Sequence, residues 1–81
     1  MKGIGRISGW KVSHRSATEI EWKQTHGKKT VAVWRVGLGG GKIGYEMVKS
    51  GTASVRTFKG SGSLDRALAA AKKYMKAHAR G

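Results

Sequence analysis

Hydrophobic positions along the chain recur first with a period of two and then, from Ser63 onward, at three- and four-residue spacing. In Thr18 to Gln24, Ile20 and Trp22 alternate with Glu19, Glu21 and Lys23, the pattern of a strand with one buried face. Thr30 to Leu38 sets Ala32, Trp34, Val36 and Leu38 on one face and Val31, Val33 and Arg35 on the other, and it reads as a central strand with the first set inward. Ile43, Tyr45 and Met47 alternate with Gly44, Glu46 and Val48 and resume the sheet. Ser54 to Lys59 has a strand-like order that does not decide which of Val55, Arg56 and Phe58 faces inward. Ahead of these, Trp10 and Val12 alternate with polar neighbours and predict a short strand within Ile7 to Ser13.

The spacing predicts a helix from Ser63 to Arg80, with Leu64, Ala67, Leu68, Ala71, Tyr74, Met75 and His78 on one apolar stripe. Ser63 follows the breakers Gly60 and Gly62 and is the expected N-cap. Asp65 in the first turn and Lys72, Lys73, Lys76 and Arg80 toward the end follow the charge order that the helix dipole favours. Arg66, Lys73 and Arg80 repeat every seven residues and give the opposite side most of the helix's positive charge. The chain has no proline or asparagine, so its turns fall to 13 glycines. They are expected at His26 to Lys29, where Gly27 supplies any positive φ, at Gly39 to Gly41, and at Lys49 to Thr52.

These elements make an α+β fold in which an antiparallel sheet of three to five short strands packs on one C-terminal helix. Residues 1–16 read as a basic N-terminal arm that can include the first strand, and 17–81 as a single small domain. Matching faces sets Ile20, Trp22, Trp34, Val36, Tyr45 and Met47 against Leu64, Leu68, Ala71 and Met75. A chain of 81 residues has room for one small core.

Composition adds what the pattern cannot. Seventeen Lys and Arg against four Asp and Glu give a net charge of +13, which repels copies of the chain and attracts phosphates, acidic proteins and anionic surfaces. The absence of cysteine removes disulfides and thiolate metal sites and fits a reducing cytoplasm. No apolar run reaches the length of a signal peptide core or a membrane span, and the alanine-rich helix stripe is committed to the core, so membrane binding is not expected.

Chemistry-bearing motifs are few. Gly39, Gly41 and Gly44 match a dinucleotide fingerprint in spacing, yet a strand follows where that motif needs a helix. Gly41 to Gly44 matches the clamping loop of KH domains without their flanking helices. Glu19 and Glu21 read as partners of Lys23 and Arg35 in cross-strand ion pairs, and His14, His26 and His78 lack further ligands at metal-binding spacing. No enzyme and no cofactor are expected. Lys59 to Ser63 is a glycine-rich approach to a helix, read either as plain capping by Ser63 or as an anion cradle reinforced by Lys59. Trp10 is either an anchor for the arm or an exposed ring that stacks on a base.

From Trp34 onward, a strand, a Gly/Lys turn, a strand with Tyr45, a third strand ending at Phe58 and Lys59, and the helix from Leu64 to Lys76 resemble a known plan. It is similar to the three-stranded-sheet-plus-helix DNA-binding domains of tyrosine recombinase N-termini and plant ethylene-response factors. The resemblance implies that the exposed sheet face enters the major groove, with Arg35 and Arg56 reading bases. Against this, Glu19, Glu21 and Glu46 fall on that same face.

The expected function is a nucleic-acid-binding module, DNA before RNA, held by phosphate contacts with limited sequence preference. The expected contacts are Lys2, Arg6, Lys11 and Arg15 in the arm, Lys28, Lys29 and Lys42 in turns, Arg35, Arg56 and Lys59 in and after strands, and Lys72, Lys73, Lys76 and Arg80 on the helix. The alternative is a small phage-type regulator that docks on an acidic host protein, with Val31, Val33 and Val48 on its sheet face as the interface.

Overall fold

The computed structural model describes residues 1, 4–50 and 55–79. It is an α+β fold in which strands β1 (Trp10–Arg15), β2 (Glu19–Gln24), β3 (Thr30–Gly39), β4 (Lys42–Lys49) and β5 (Val55–Phe58) form one antiparallel sheet in chain order. Helix α1 (Ser63–Ala77) packs across β3, β4 and β5 on one side of that sheet.

The core is built on the sheet face that meets the helix. Ile20 and Trp22 of β2 pair with Val33 and Val31 of β3, Val33 pairs with Met47 of β4, and Tyr45 pairs with Phe58 of β5. Ala67, Leu68, Ala71 and Met75 close this layer from the helix, with Leu64, Ala70 and Tyr74 at its edge, so the apolar stripe lies where its spacing put it. Phe58, whose direction the sequence left open, points inward.

The phase of β3 is the reverse of the one expected. Val31 and Val33 are fully buried under the helix, while Trp34 and Val36 lie half-buried on the open face. Alternation cannot phase a strand that is apolar on both faces, and a shift of one residue exchanges them completely. Cross-strand register decides it: Trp22 and Ile20 are bound to the core, and their partners on β3 must face the same way.

The segment before β1 belongs to the same packing. Ile7 and Trp10 are buried, and the indole Nε1 of Trp10 donates to the Met75 carbonyl at 2.9 Å, so Trp10 anchors this segment to the helix end and is no stacking ring. Gln24, also buried, donates to the His78 carbonyl at 2.6 Å and accepts from the Lys29 amide at 3.1 Å. Two side chains from the sheet thus tie down carbonyls at the helix C-terminus, that of Met75, which also accepts from the His78 amide at 3.2 Å, and that of the C-cap His78 itself.

Both helix ends differ from the sequence reading. The N-cap is Gly62, left-handed at φ 72°, and Ser63 is a buried first-turn residue that makes no capping bond with its side chain. Gly60, at φ 81°, and Gly62 together turn the chain so tightly that Ser63 already enters with helical geometry. The helix ends at Ala77 with His78 as C-cap, and Arg80 lies outside the described residues.

β3 and β4 outrun their neighbours: the last β2 pairing is at Trp34 and the last β5 pairing at Tyr45, which leaves Val36 to Gly44 as a two-stranded ribbon. Gly39, Gly40 and Gly41 turn its tip with φ of 85°, 59° and 77°. The molecule measures 42 × 25 × 18 Å.

Candidate nucleic-acid interface

Sheet register sorts the charges. Arg15 pairs with Ile20, Arg35 with Tyr45 and Arg56 with Met47, so each of these arginines lies on the helix-bearing side of the sheet. This corrects the expectation drawn from the recombinase-like plan, which set Arg35 and Arg56 on the exposed face: the phase of β3 carries Arg35 over, and Arg56 follows through Met47. Both still reach solvent, at the margins of the helix layer. One row, Arg15, Ile20, Val33, Met47 and Arg56, crosses the whole sheet and ends in an arginine on each edge. Four strand spacings set those two backbones about 19 Å apart.

The open face holds most of the acids. Glu19 pairs with Trp34, Trp34 with Glu46, and Glu21 with Ala32, so three of the four acids of the chain share it, as their alternation indicated. Their partners are not the lysine and arginine expected. His14 Nε2 lies 3.5 Å from Glu19, Ser13 donates to Glu21 at 2.7 Å, and the Trp34 indole donates to Glu46 at 2.8 Å. Arg35 is on the other side of the sheet. Lys11 and Lys23, paired with each other, lie on the open face.

Two grooves each bring three cations together. Beside β1, a groove of about 300 Å³ is lined by Arg6, Lys11 and Arg15 over Trp10 and Trp22. Between β5 and α1, a larger one of about 410 Å³ is lined by Arg56, Arg66 and Lys73 over Phe58, Ala69 and Ala70. The Arg56 guanidinium stacks on the Phe58 ring, 4.8 Å from its centroid. Arg66 donates through Nη2 to the carbonyls of Lys59 and Ser61 and through Nε to that of Gly62.

Of the expected contacts, Arg56 and Lys73 come together in the second groove, and Arg6, Lys11 and Arg15 in the first. Lys72 and Lys76 are exposed on the helix, Lys28 and Lys29 occupy the β2–β3 turn, Lys42 sits at the ribbon tip, and Lys59 follows β5. Lys2 and Arg80 lie outside the described residues. Arg66 is the residue that sequence reasoning left off the site. Its signal was present, because a helical side chain leans toward the N-terminal turn and Arg66 follows a Gly-Ser-Gly loop whose carbonyls are within reach.

Among the described residues no group of three His, Asp or Glu is placed to hold a metal ion, and no helix is long and apolar enough to cross a membrane. Comparison with protein-family models, curated proteins and solved structures finds no match to this chain.

Proposed function

We propose that this protein binds nucleic acid, DNA before RNA, through the helix-bearing side of its sheet, mainly by contacts to phosphates and with limited sequence preference. The observation that carries the reading is the separation of charge by side. Glu19, Glu21 and Glu46 occupy the open face beside Lys11 and Lys23, while Arg15, Arg35 and Arg56 of the strands and Lys72, Lys73 and Lys76 of the helix share the other. A phosphate backbone approaching the open face meets three carboxylates against two lysines; approaching the helix it meets an excess of lysines and arginines. Limited sequence preference is what contacts to phosphates give, since they position a protein on nucleic acid and carry no sequence information.

The test is a titration of a short labelled duplex at several salt concentrations. Neutralising about six phosphates gives a slope of log K against log salt near −5. A slope near zero would overturn the proposal.

A second reading, docking on an acidic protein, draws on the same cationic side. It no longer draws on the sheet face, because Val31 and Val33 are in the core and the open face carries the acids. The two readings part on nuclease treatment: a stoichiometric protein partner that survives it favours docking, and loss of all partners favours nucleic acid.

A further inference from the structure

Arg56, Arg66 and Lys73 line the concave space between β5 and α1. We infer that this groove is a phosphate site for a phosphodiester backbone, with Arg66 as its fixed donor and Arg56 and Lys73 as the charges that close on the ligand; the inference rests on the nucleic-acid reading above.

Arg66 is held before any ligand arrives. Three loop carbonyls, of Lys59, Ser61 and Gly62, accept from its Nη2 and Nε. Carbonyls fix the position of a guanidinium and leave its full charge in place, and a guanidinium has five N–H donors, so Nη1 remains for an anion. Preorganisation of this kind lowers the ordering cost of binding.

Arg56 enters the groove from the sheet. Its guanidinium carbon lies over the ring of Phe58, which is only 6% exposed, so the ring serves as a platform for the arginine and not as a surface for a base. Lys73 stands two helical turns beyond Arg66, about 10.5 Å along the axis. Ala69 and Ala70 between them add little bulk and keep the floor low. No carboxylate lies within 4.0 Å of Arg56, Arg66 or Lys73 among the described residues. Three like charges around one groove repel each other, and an anion seated among them relieves that repulsion.

The duplex titration is repeated with a double groove variant and an open-face variant. Arg56→Gln with Lys73→Gln is expected to flatten the salt slope by about 2 and weaken binding at least about tenfold at moderate salt, whereas Lys23→Gln, on the open face and in neither groove, leaves the slope unchanged and shifts affinity less than about threefold. Arg66→Lys keeps the charge and loses the fork; it weakens binding while the circular dichroism spectrum stays that of the parent. Inorganic phosphate alone, followed by NMR, is expected to shift the Arg66 side-chain N–H and Phe58 ring signals first. Equal losses per charge removed in the two variants would mean that only net charge matters and would overturn the site. So would a parental slope in the groove variant, or phosphate shifts confined to the other groove. In each of these cases the parent still binds with a steep slope, which separates failure of the site from failure of the nucleic-acid reading, where the parent itself is flat.

Discussion

Gly27 is a glycine because Gln24 is buried beside it. The sequence suggested that Gly27 supplies a positive φ, yet the positive-φ glycines of the structure do not include it. A Cβ at that position would instead overlap the Gln24 side-chain oxygen, which accepts from the Lys29 amide while its amide group holds the His78 carbonyl. Replacing Gly27 by Ala should therefore displace a buried amide and cost about 1–3 kcal/mol in chemical denaturation. Gly40 provides the comparison: it has φ 59° and open space around its Cβ position, so Gly40→Ala costs only backbone strain, about 1 kcal/mol. The first variant should also lower hydrogen-exchange protection at the helix C-terminus, and the second should leave it unchanged.

At the scale of elements, most of the fold was legible and the errors have physical causes. The amphipathic period of β2 and the stripe of α1 each have a single apolar side, so their orientation could be read directly. β3 is apolar on both sides, and its phase depends on pairing with β2 across a turn, which periodicity does not encode. That difference is measurable. Val33→Ala removes fully buried methyl groups and should cost about 1.5–3 kcal/mol, while Val36→Ala, half-buried on the open face, should cost under about 1 kcal/mol. The reverse order would restore the sequence-based phase and return Arg35 to the open face with it. The helix start was misjudged by one residue for a similar reason, since a serine after a glycine looks like a cap unless the glycine itself turns the chain. Ser63→Ala should change stability by less than about 0.5 kcal/mol, because no capping bond is lost. Gly62→Ala should cost about 1–2 kcal/mol, because a left-handed residue gains a Cβ. Of the site, the sequence showed which residues are charged but not which side of the sheet they share, since that follows from the same register.

At the scale of the whole molecule, stability and binding should respond to salt with opposite signs. A net charge of +13 on 81 residues makes the compact state repel itself. The acids do little to offset this: the open-face carboxylates are held by Ser13, Trp34 and His14, and the strand arginines lie across the sheet from them. Raising ionic strength shortens the Debye length from about 30 Å at 0.01 M to about 10 Å at 0.1 M, which is below the roughly 19 Å between the arginines at the two sheet edges. Repulsion across the domain is thereby screened, while the apolar core is indifferent to salt at these concentrations. The denaturation midpoint should rise over that range. Duplex affinity should fall over the same range, since each phosphate contact releases counterions. At one fixed concentration, added duplex should in turn stabilise the fold most at low salt, where its dissociation constant is smallest, by about 2.7 kcal/mol where that concentration is one hundred times the constant. A midpoint that falls as salt is added would mean that favourable ion pairs dominate the fold, and charge separation between the two sides could then not be the organising feature of the surface.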